Sequence, residues 1–160
     1  MLCGAYLLII NIKAVVKGEI GKLGWIDFKP GWYVYVGSAM GGLEARVKRH
    51  LSSKKRKHWH IDYLLGLGSK VRVEQVVIVT STKKIECELS KLVAGLATFS
   101  VARFGSSDCK CGSHLYYFPN EQSIRGLLGA IKRAKPNVTI KEAQSVCLDL
   151  ARNRQLASPT

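Results

Sequence analysis

The chain has 160 residues, enough for one domain with a real core, and its hydrophobic content of 47% is that of an ordinary globular protein. No apolar run approaches the roughly 20 residues of a membrane span, which excludes helical membrane-spanning segments. The net charge of +14 favours a polyanionic partner, with nucleic acid ranked ahead of an acidic membrane surface, because solubility alone seldom needs so much charge.

The first part of the chain predicts two main strands with a hairpin between them. Residues 4–12 form an apolar run that lacks the basic leader and cleavage site of a signal peptide, so we interpret it as the first strand of a cytoplasmic protein. Glycines punctuate residues 15–30 and predict a short extra hairpin. Residues 32–37 alternate aromatic and β-branched side chains, which predicts a second main strand antiparallel to the first.

A glycine-rich turn and a basic helix follow the second main strand. The sequence predicts a helix over residues 43–51, on which Arg46 and His50 are four positions apart and share one face. With the hydroxyl of Tyr35 on the preceding strand, this guanidinium and imidazole suit a phosphate site. The alternative is that they are an ordinary strand aromatic and solvated helix residues.

The next loop is densely basic. Residues 46–57 hold seven lysines and arginines and no acidic residue, and residues 58–60 add two histidines and a tryptophan. Aromatic side chains among cations are used for stacking on nucleic-acid surfaces, so nucleic-acid contact is favoured over a merely solvated loop. The residues predicted to contact nucleic acid are Lys48, Arg49, Lys54, Lys55, Arg56, Lys57, His58, Trp59 and His60.

The rest of the chain predicts one more long strand and mostly helices. The predicted elements are a short helix from residue 60 that ends by residue 66, a strand over 71–80, a helix over 83–97, a short strand over 115–118, and helices over 121–133 and 139–154. On the helix over 83–97, Glu88 lies at the edge of the apolar stripe, where its carboxylate can be half-buried over the sheet. The alternative is that Glu88 is an ordinary exposed helix residue.

Five cysteines, an odd number, argue against a disulfide framework. Three lie in apolar stretches and are interpreted as small core residues: Cys3, Cys87 and Cys147. Cys109, Cys111 and His114 form a Cys-x-Cys-x-x-His pattern, which gives three ligands where a structural zinc site needs four. His58 or His60 would have to complete the set, so a tight hydrogen-bonded loop is preferred and zinc is the less favoured alternative.

Two tripeptides resemble the motif of a known nuclease superfamily. Gly4-Ala5-Tyr6 and Tyr35-Val36-Gly37 look like the paired tripeptides of GIY-YIG nucleases, and Arg46 follows the second one as the arginine of that motif does. Five longer stretches are similar to the DUF123 branch, a largely uncharacterised, mainly prokaryotic set that is sometimes fused to a DNA-repair glycosylase. They are Tyr-Val-Tyr-Val-Gly-Ser-Ala, Arg-Val-Lys-Arg-His, His-Trp-His-Ile-Asp-Tyr-Leu, Glu-Cys-Glu-Leu and Ser-Asp-Cys-Lys-Cys-Gly-Ser-His-Leu.

The resemblance, which covers roughly residues 3–118, implies an α+β fold. Its expected centre is a small antiparallel sheet of about three strands flanked by helices, with the extra hairpin as an insert. We expect a GIY-YIG-like domain over residues 1–118 and a C-terminal helical extension over 119–160 that packs on it. The implied activity is metal-dependent hydrolysis of DNA in repair or processing, with DNA preferred over RNA and no membrane partner.

The resemblance also implies a role for each site residue. Tyr6 would be the base or water-orienting hydroxyl, Tyr35 would align the water or phosphate, Arg46 would hold the scissile phosphate, and Glu88 would bind one Mg²⁺ or Mn²⁺ ion. His50 suits proton relay near neutral pH. A guanidinium fork and a divalent cation both suit the negative charge that develops during phosphodiester cleavage.

Two alternatives remain beside this interpretation. Glu86 competes with Glu88 for the metal, and Glu88 is preferred on spacing. The superfamily's usual β-branched residue is replaced by Ala5, and the insert makes the gap between the tripeptides long. These departures motivate a second hypothesis, a nucleic-acid-binding module that keeps the fold without turnover.

Overall fold

The computed structural model describes residues 2–156 of the chain. In chain order its strands are β1 (Gly4–Ile12), β2 (Val16–Glu19), β3 (Trp25–Phe28), β4 (Gly31–Ala39), β5 (Val71–Thr80), β6 (Phe99–Ser100), β7 (Leu115–Phe118) and β8 (Val138–Glu142). Its helices are α1 (Leu43–Leu51), α2 (His60–Leu65), α3 (Glu86–Leu96), α4 (Glu121–Ala134) and α5 (Ala143–Leu156). None of these helices has the length and hydrophobicity needed to cross a membrane.

The central sheet is antiparallel throughout and has the strand order β6-β7-β4-β1-β5-β8. The predicted α+β class and the antiparallel pairing of β1 with β4 are confirmed, and β2 and β3 form the predicted extra hairpin as a separate small sheet. The expected size of about three strands is wrong, because the sheet has six. The three long strands form its centre, and shorter strands extend both edges.

The C-terminal region contains a strand, β8, where the sequence predicts the start of a helix. Residues Val138–Glu142 pair with β5, and α5 begins only at Ala143, so the prediction of a helix from residue 139 is wrong. Val138 and Ile140 are half-buried and alternate with exposed residues, which is the period of a strand at the edge of a sheet. The expected extension is therefore not wholly helical, and its last residues, 157–160, lie outside the described residues.

β1 is buried on both faces, so its near-continuous apolar run follows from its central position. On one face Tyr6, Leu8 and Ile10 pack with α1, α2 and α5. On the other face, Leu7 and Ile9 pack with α3 and α4. Burying each such aliphatic side chain stabilises the fold by about 1.5–3 kcal/mol, so the two cores hold the sheet between two helical layers.

One glycine decides where the first tyrosine lies. Gly37 on β4 is directly opposite Tyr6 on β1, and a Cβ atom at Gly37 would lie 2.4 Å from Cζ of the tyrosine ring. The ring therefore crosses the neighbouring strand at a position that has no side chain. This close approach places the Tyr6 hydroxyl beside α1.

Candidate functional site

Three of the predicted site residues meet on one face of the sheet. The hydroxyl of Tyr6, on β1, lies 2.6 Å from Nε2 of His50, on α1. The ring of Tyr35, on β4, has its centroid 6.4 Å from that of Tyr6 and 6.2 Å from that of His50. All three side chains are buried, and Tyr6 is only 1% exposed.

Arg46 lies one helical turn before His50 and is also in this group. Its Nη1 donates a hydrogen bond to the backbone oxygen of Ser38 at 3.1 Å, which holds the guanidinium at the end of β4. The guanidinium carbon of Arg46 lies 4.6 Å from the ring centroid of Trp59, and that of Arg49 lies 4.5 Å from it. Each such cation–π contact contributes about 0.5–1 kcal/mol, so the tryptophan helps to fix both arginines.

The structure does not bring Glu88 to the tyrosines. The Glu88 side chain is 66% exposed and pairs with Lys135 at the end of α4. The competing residue, Glu86, accepts a hydrogen bond from the Ser38 hydroxyl at 2.8 Å, beside Arg46. The two glutamates point in different directions because residues two positions apart on a helix are separated by about 200° around its axis.

The start of α3 decides which glutamate faces the site. The sequence predicts that this helix begins at residue 83, whereas in the structure it begins at Glu86. Glu86 therefore occupies the first turn, which lies against the end of β4, and its carboxylate also contacts Nδ1 of His114 at 3.2 Å. Burial raises the pKa of Glu86, but the hydrogen bonds from His114 and Ser38 outweigh it and lower that pKa below its usual value.

The electrostatics of the tyrosine group favour neutral side chains. Burial raises the pKa of Tyr6 well above its ordinary value, with a further increase from Tyr35, although Arg46 opposes it. Burial likewise raises the pKa of Tyr35. Burial and, less strongly, the nearby cations lower the pKa of His50 to about 4 although Asp62 opposes them, so its imidazole is neutral at neutral pH.

Asp62 is a charged residue in this region that is not among the residues predicted from the sequence. Its side chain is fully buried and accepts hydrogen bonds from Nη1 and Nη2 of Arg49, at 2.9 and 3.0 Å, and from the backbone N–H groups of His58 and Trp59, at 2.9 Å each. Asp62 is the third residue of α2, where an acidic residue commonly accepts from the residue that precedes the helix. That signal could have identified it.

His50 and Asp62 face each other without a hydrogen bond. Nδ1 of His50 lies 3.8 Å from Oδ1 of Asp62, too far for a hydrogen bond, and it is buried with no partner among residues 2–156. A proton on Nδ1 would face the carboxylate favourably, whereas a lone pair there would be repelled. We therefore assign the proton to Nδ1, which makes the Tyr6 hydroxyl the donor to Nε2.

The predicted nucleic-acid-binding residues divide into two groups. The first group is half-buried, and four of its five members hold the loop in place, Lys48 being the exception. Arg49 pairs with Asp62, and Lys55 donates to the backbone oxygens of His50 and Ser52. Trp59 stacks with two arginines, and Nδ1 of His60 accepts from the backbone N–H of Gly105. The second group is exposed and consists of Lys54, Arg56, Lys57 and His58. Only the side chains of the second group are fully presented to solvent.

A comparison with protein families identifies the chain at this point. The model of a family described as "Domain of unknown function DUF123" matches residues 5–135, which is most of the chain. The chain belongs to the DUF123 family. The match takes in every predicted site residue and continues through α4, while the division of the chain at residue 118 stays a prediction. No curated protein and no solved structure matches the chain.

The DUF123 domain also contains a cluster of four side chains that could hold a metal ion. The ligand atoms of Cys87, Cys109, Cys111 and His114 all lie within 4.8 Å of one another. The fourth member is Cys87, rather than either histidine of the basic loop, because the start of α3 lies against the loop that precedes β7. Sequence spacing could not reveal this, since Cys87 is more than 20 residues before Cys109.

The other two cysteines of this DUF123 protein lie outside the cluster. Cys147 is exposed, and Cys3 is half-buried with its thiol donating to the backbone oxygen of Ser81. The interpretation of Cys3, Cys87 and Cys147 as core residues is therefore wrong. Cys147 has apolar neighbours in the sequence, but it lies on an exposed side of α5, because only part of a helix surface faces the sheet.

Proposed function

We propose that this DUF123 protein is a metal-dependent DNA endonuclease of the GIY-YIG type. The observation that carries the proposal is the meeting of Tyr6, Tyr35, Arg46 and His50 with an ionised carboxylate, Glu86, at one end of the central sheet. These groups come from two strands, β1 and β4, and two helices, α1 and α3. Together they supply a cation, a carboxylate and a hydroxyl–imidazole pair, which are the groups that hydrolysis of a phosphodiester requires.

Arg46 is proposed to bind the scissile phosphate. Only one of its nitrogens is committed to the backbone of Ser38, so the other donors of the guanidinium fork can hydrogen-bond phosphate oxygens. The stacked ring of Trp59 holds the guanidinium in place before the substrate arrives. A cation fixed in advance stabilises the charge that develops on the phosphate without a cost of reorganisation.

Tyr6 and His50 are proposed to move the proton of the attacking water. Because the pKa of Tyr6 is raised, its hydroxyl stays protonated and a resident phenolate is disfavoured. As the water oxygen bonds to phosphorus and the bond from phosphorus to the leaving sugar oxygen breaks, the hydroxyl oxygen of Tyr6 accepts the water proton and passes its own proton to Nε2 of His50, 2.6 Å away. The leaving oxygen takes a proton from solvent. Asp62 faces the other ring nitrogen and stabilises the imidazolium that forms.

Glu86 is proposed to hold one Mg²⁺ or Mn²⁺ ion. Its carboxylate is ionised and its side chain is 29% exposed, and each oxygen keeps a lone pair after its present hydrogen bond. Mg²⁺ keeps most of its waters and needs few protein ligands, so a single carboxylate beside a phosphate fits it. When bound, such an ion would neutralise charge on the phosphate and leaving-group oxygens.

The exposed cations of the basic loop are proposed to bind the DNA backbone, since phosphate contacts dominate nucleic-acid affinity. Removing Lys54, Arg56 and Lys57 together by alanine substitution is expected to weaken binding uniformly across sequences. If each residue neutralises one phosphate, the slope of log affinity against log salt falls by about three. Filter binding over a series of salt concentrations measures the slope, and an unchanged slope would remove the loop from the interface.

A second candidate function is nucleic-acid binding without turnover. The rings of Tyr6 and Tyr35 are 1% and 6% exposed, so the Tyr6 hydroxyl has little access to water. A site closed in this way would bind a phosphate at Arg46 without hydrolysing it. Salt-dependent binding with no cleavage would support this candidate.

The decisive experiment compares two neighbouring glutamates. The full chain, a Glu86→Gln variant and a Glu88→Gln variant are incubated with nicked, branched and plasmid DNA in Mg²⁺ or Mn²⁺. We expect cleavage by the wild type and by Glu88→Gln, and loss of cleavage in Glu86→Gln. Wild-type protein that cuts none of these substrates above the Glu86→Gln background would overturn the nuclease proposal, and loss in Glu88→Gln alone would overturn the role of Glu86.

A further inference from the structure

The cysteine cluster lies where the chain brings two distant segments together. Cys87 is the second residue of α3, and the other three members lie in the loop that ends at His114, directly before β7. The Sγ atom of Cys109 is 3.2 Å from Nε2 of His114, and all four ligand atoms fall within 4.8 Å of one another. The three thiols are free, so no disulfide competes for this arrangement.

The surroundings of His114 specify which of its nitrogens faces the cluster. The ring is 1% exposed, and its Nδ1 lies 3.1 Å from the backbone oxygen of Val36 and 3.2 Å from Oε1 of Glu86. Both neighbours are hydrogen-bond acceptors, so Nδ1 must carry a proton and donate it. Nε2 is then the nitrogen that can act as a ligand, and it points at the thiols.

We propose that Cys87, Cys109, Cys111 and Nε2 of His114 bind one structural Zn²⁺ ion, with Glu86 as the carboxylate that orients the histidine. Three soft thiolates and one imidazole are a common tetrahedral zinc set, and a set of four protein ligands leaves no open position for a substrate. With zinc–sulfur bonds of about 2.3 Å, tetrahedral ligands lie about 3.8 Å apart, which is within the observed spread. The thiol protons, and any proton on Nε2, are released to solvent on binding.

Glu86 connects the proposed zinc site to the tyrosine site. A histidine that ligates zinc through one nitrogen commonly donates its other N–H to a carboxylate, and such a partner strengthens metal binding. Here that carboxylate also accepts from Ser38, next to Arg46. The zinc ion would therefore fix the position of the carboxylate at the tyrosine site, although the zinc proposal itself rests only on the four ligands and not on nuclease activity.

Metal content and spectroscopy of the full chain test the proposal. We expect about one tightly held zinc per chain, which resists exchange until a strong chelator is added. Replacing it with Co²⁺ is expected to give intense visible bands of tetrahedral cobalt and thiolate-to-cobalt charge transfer in the near ultraviolet. Wild-type protein loaded with zinc that retains none through gel filtration would overturn the proposal, and so would a bound iron–sulfur chromophore in its place.

Matched variants separate the ligands from other cysteines. Cys87→Ser and Cys111→Ser are expected to lose tight metal binding, whereas Cys147→Ser, which alters an exposed thiol outside the cluster, is expected to keep it. Glu86→Gln is expected to bind zinc about 10- to 100-fold more weakly in competition with a chelator, as the loss of a carboxylate partner does elsewhere. Unchanged affinity in Cys87→Ser would remove Cys87 from the site, and unchanged affinity in Glu86→Gln would remove the coupling to the tyrosine site.

If a variant of one of the ligands does not fold, a second measurement still tests the proposal. Cobalt titration of metal-depleted wild-type protein reports the number of thiolate ligands through the strength of the charge-transfer band, with no substitution needed. Three thiolates are expected. A band that corresponds to one thiolate or none would overturn the assignment.

Discussion

Replacing Asp62 with Asn tests whether the buried carboxylate organises the basic loop. The side chain is fully buried and accepts four hydrogen bonds, two from Arg49 and two from the backbone at the start of α2. The substitution removes the negative charge and turns one of the two acceptor oxygens into a donor, so at least one N–H group loses its partner. The Arg49 charge is then left uncompensated next to Arg46 and Lys55.

The expected loss of stability follows from the exposure of Asp62 and Arg49. Breaking a buried ion pair on one side costs about 3–5 kcal/mol, and the lower end applies here because Arg49 is 29% exposed and can recover some water. We expect a loss of about 3 kcal/mol in the free energy of unfolding. For a protein of this size that corresponds to a melting temperature lower by about 6–12 °C.

Urea denaturation and thermal melts of the wild type and Asp62→Asn measure this loss. The control is Asp27→Asn, which breaks the ion pair of Asp27 with Lys17, whose side chains are 67% and 66% exposed. That change is expected to cost under about 0.5 kcal/mol, because exposed pairs contribute little. If Asp62→Asn proves no less stable than the control variant, the reasoning from burial is refuted.

Two further predictions concern the tyrosine site. The unfolded chain protonates His50 below a pKa of about 6.5, whereas the folded protein does so only below about 4, so acidification between these values destabilises the fold by up to about 3 kcal/mol. Denaturation over this pH range should show a weaker pH dependence in His50→Asn than in the wild type. Parallel curves of stability against pH would contradict the prediction. Gly37→Ala is expected to destabilise the protein by about 1–3 kcal/mol, because the new Cβ would collide with the Tyr6 ring. Gly126→Ala is the control: it lies in the middle of α4, a Cβ there would have no atom within 4 Å, and the change is expected to stabilise by about 0.5–1 kcal/mol. Equal melting temperatures for the two variants would contradict the prediction.

Local patterns predicted the elements whose signals are strong and complete within a few residues. The helices α1 and α2 begin where the sequence placed them, since a glycine turn precedes α1 and a basic loop precedes α2. The period of the helix also placed Arg46 and His50 on one side, and in the structure both contact Trp59. The short β8 was missed, because five residues beside a helix carry too weak a period of their own and form a strand only by pairing with β5.

The site residues divide in the same way. Tyr6 and Tyr35 follow from motifs within single strands, whereas the choice between Glu86 and Glu88 depends on where α3 begins against the end of β4. A sequence motif does not distinguish two glutamates that are two residues apart, yet on a helix they lie about halfway around the axis from each other. Spacing alone therefore favoured Glu88, which the fold leaves exposed beside Lys135.

The sequence by itself determined the basic character of this protein, its long strands, its extra hairpin and the helix that carries Arg46 and His50. These depend on composition and on periods that a stretch of about ten residues expresses alone. Only the tertiary structure decided that Glu86 reaches Ser38, that Asp62 binds Arg49 beneath the basic loop, and that Cys87 joins a cluster with three side chains more than 20 residues away. The reason is physical: each of these contacts forms when antiparallel pairing and the packing of α3 bring distant segments together, and no local pattern records which segments will meet.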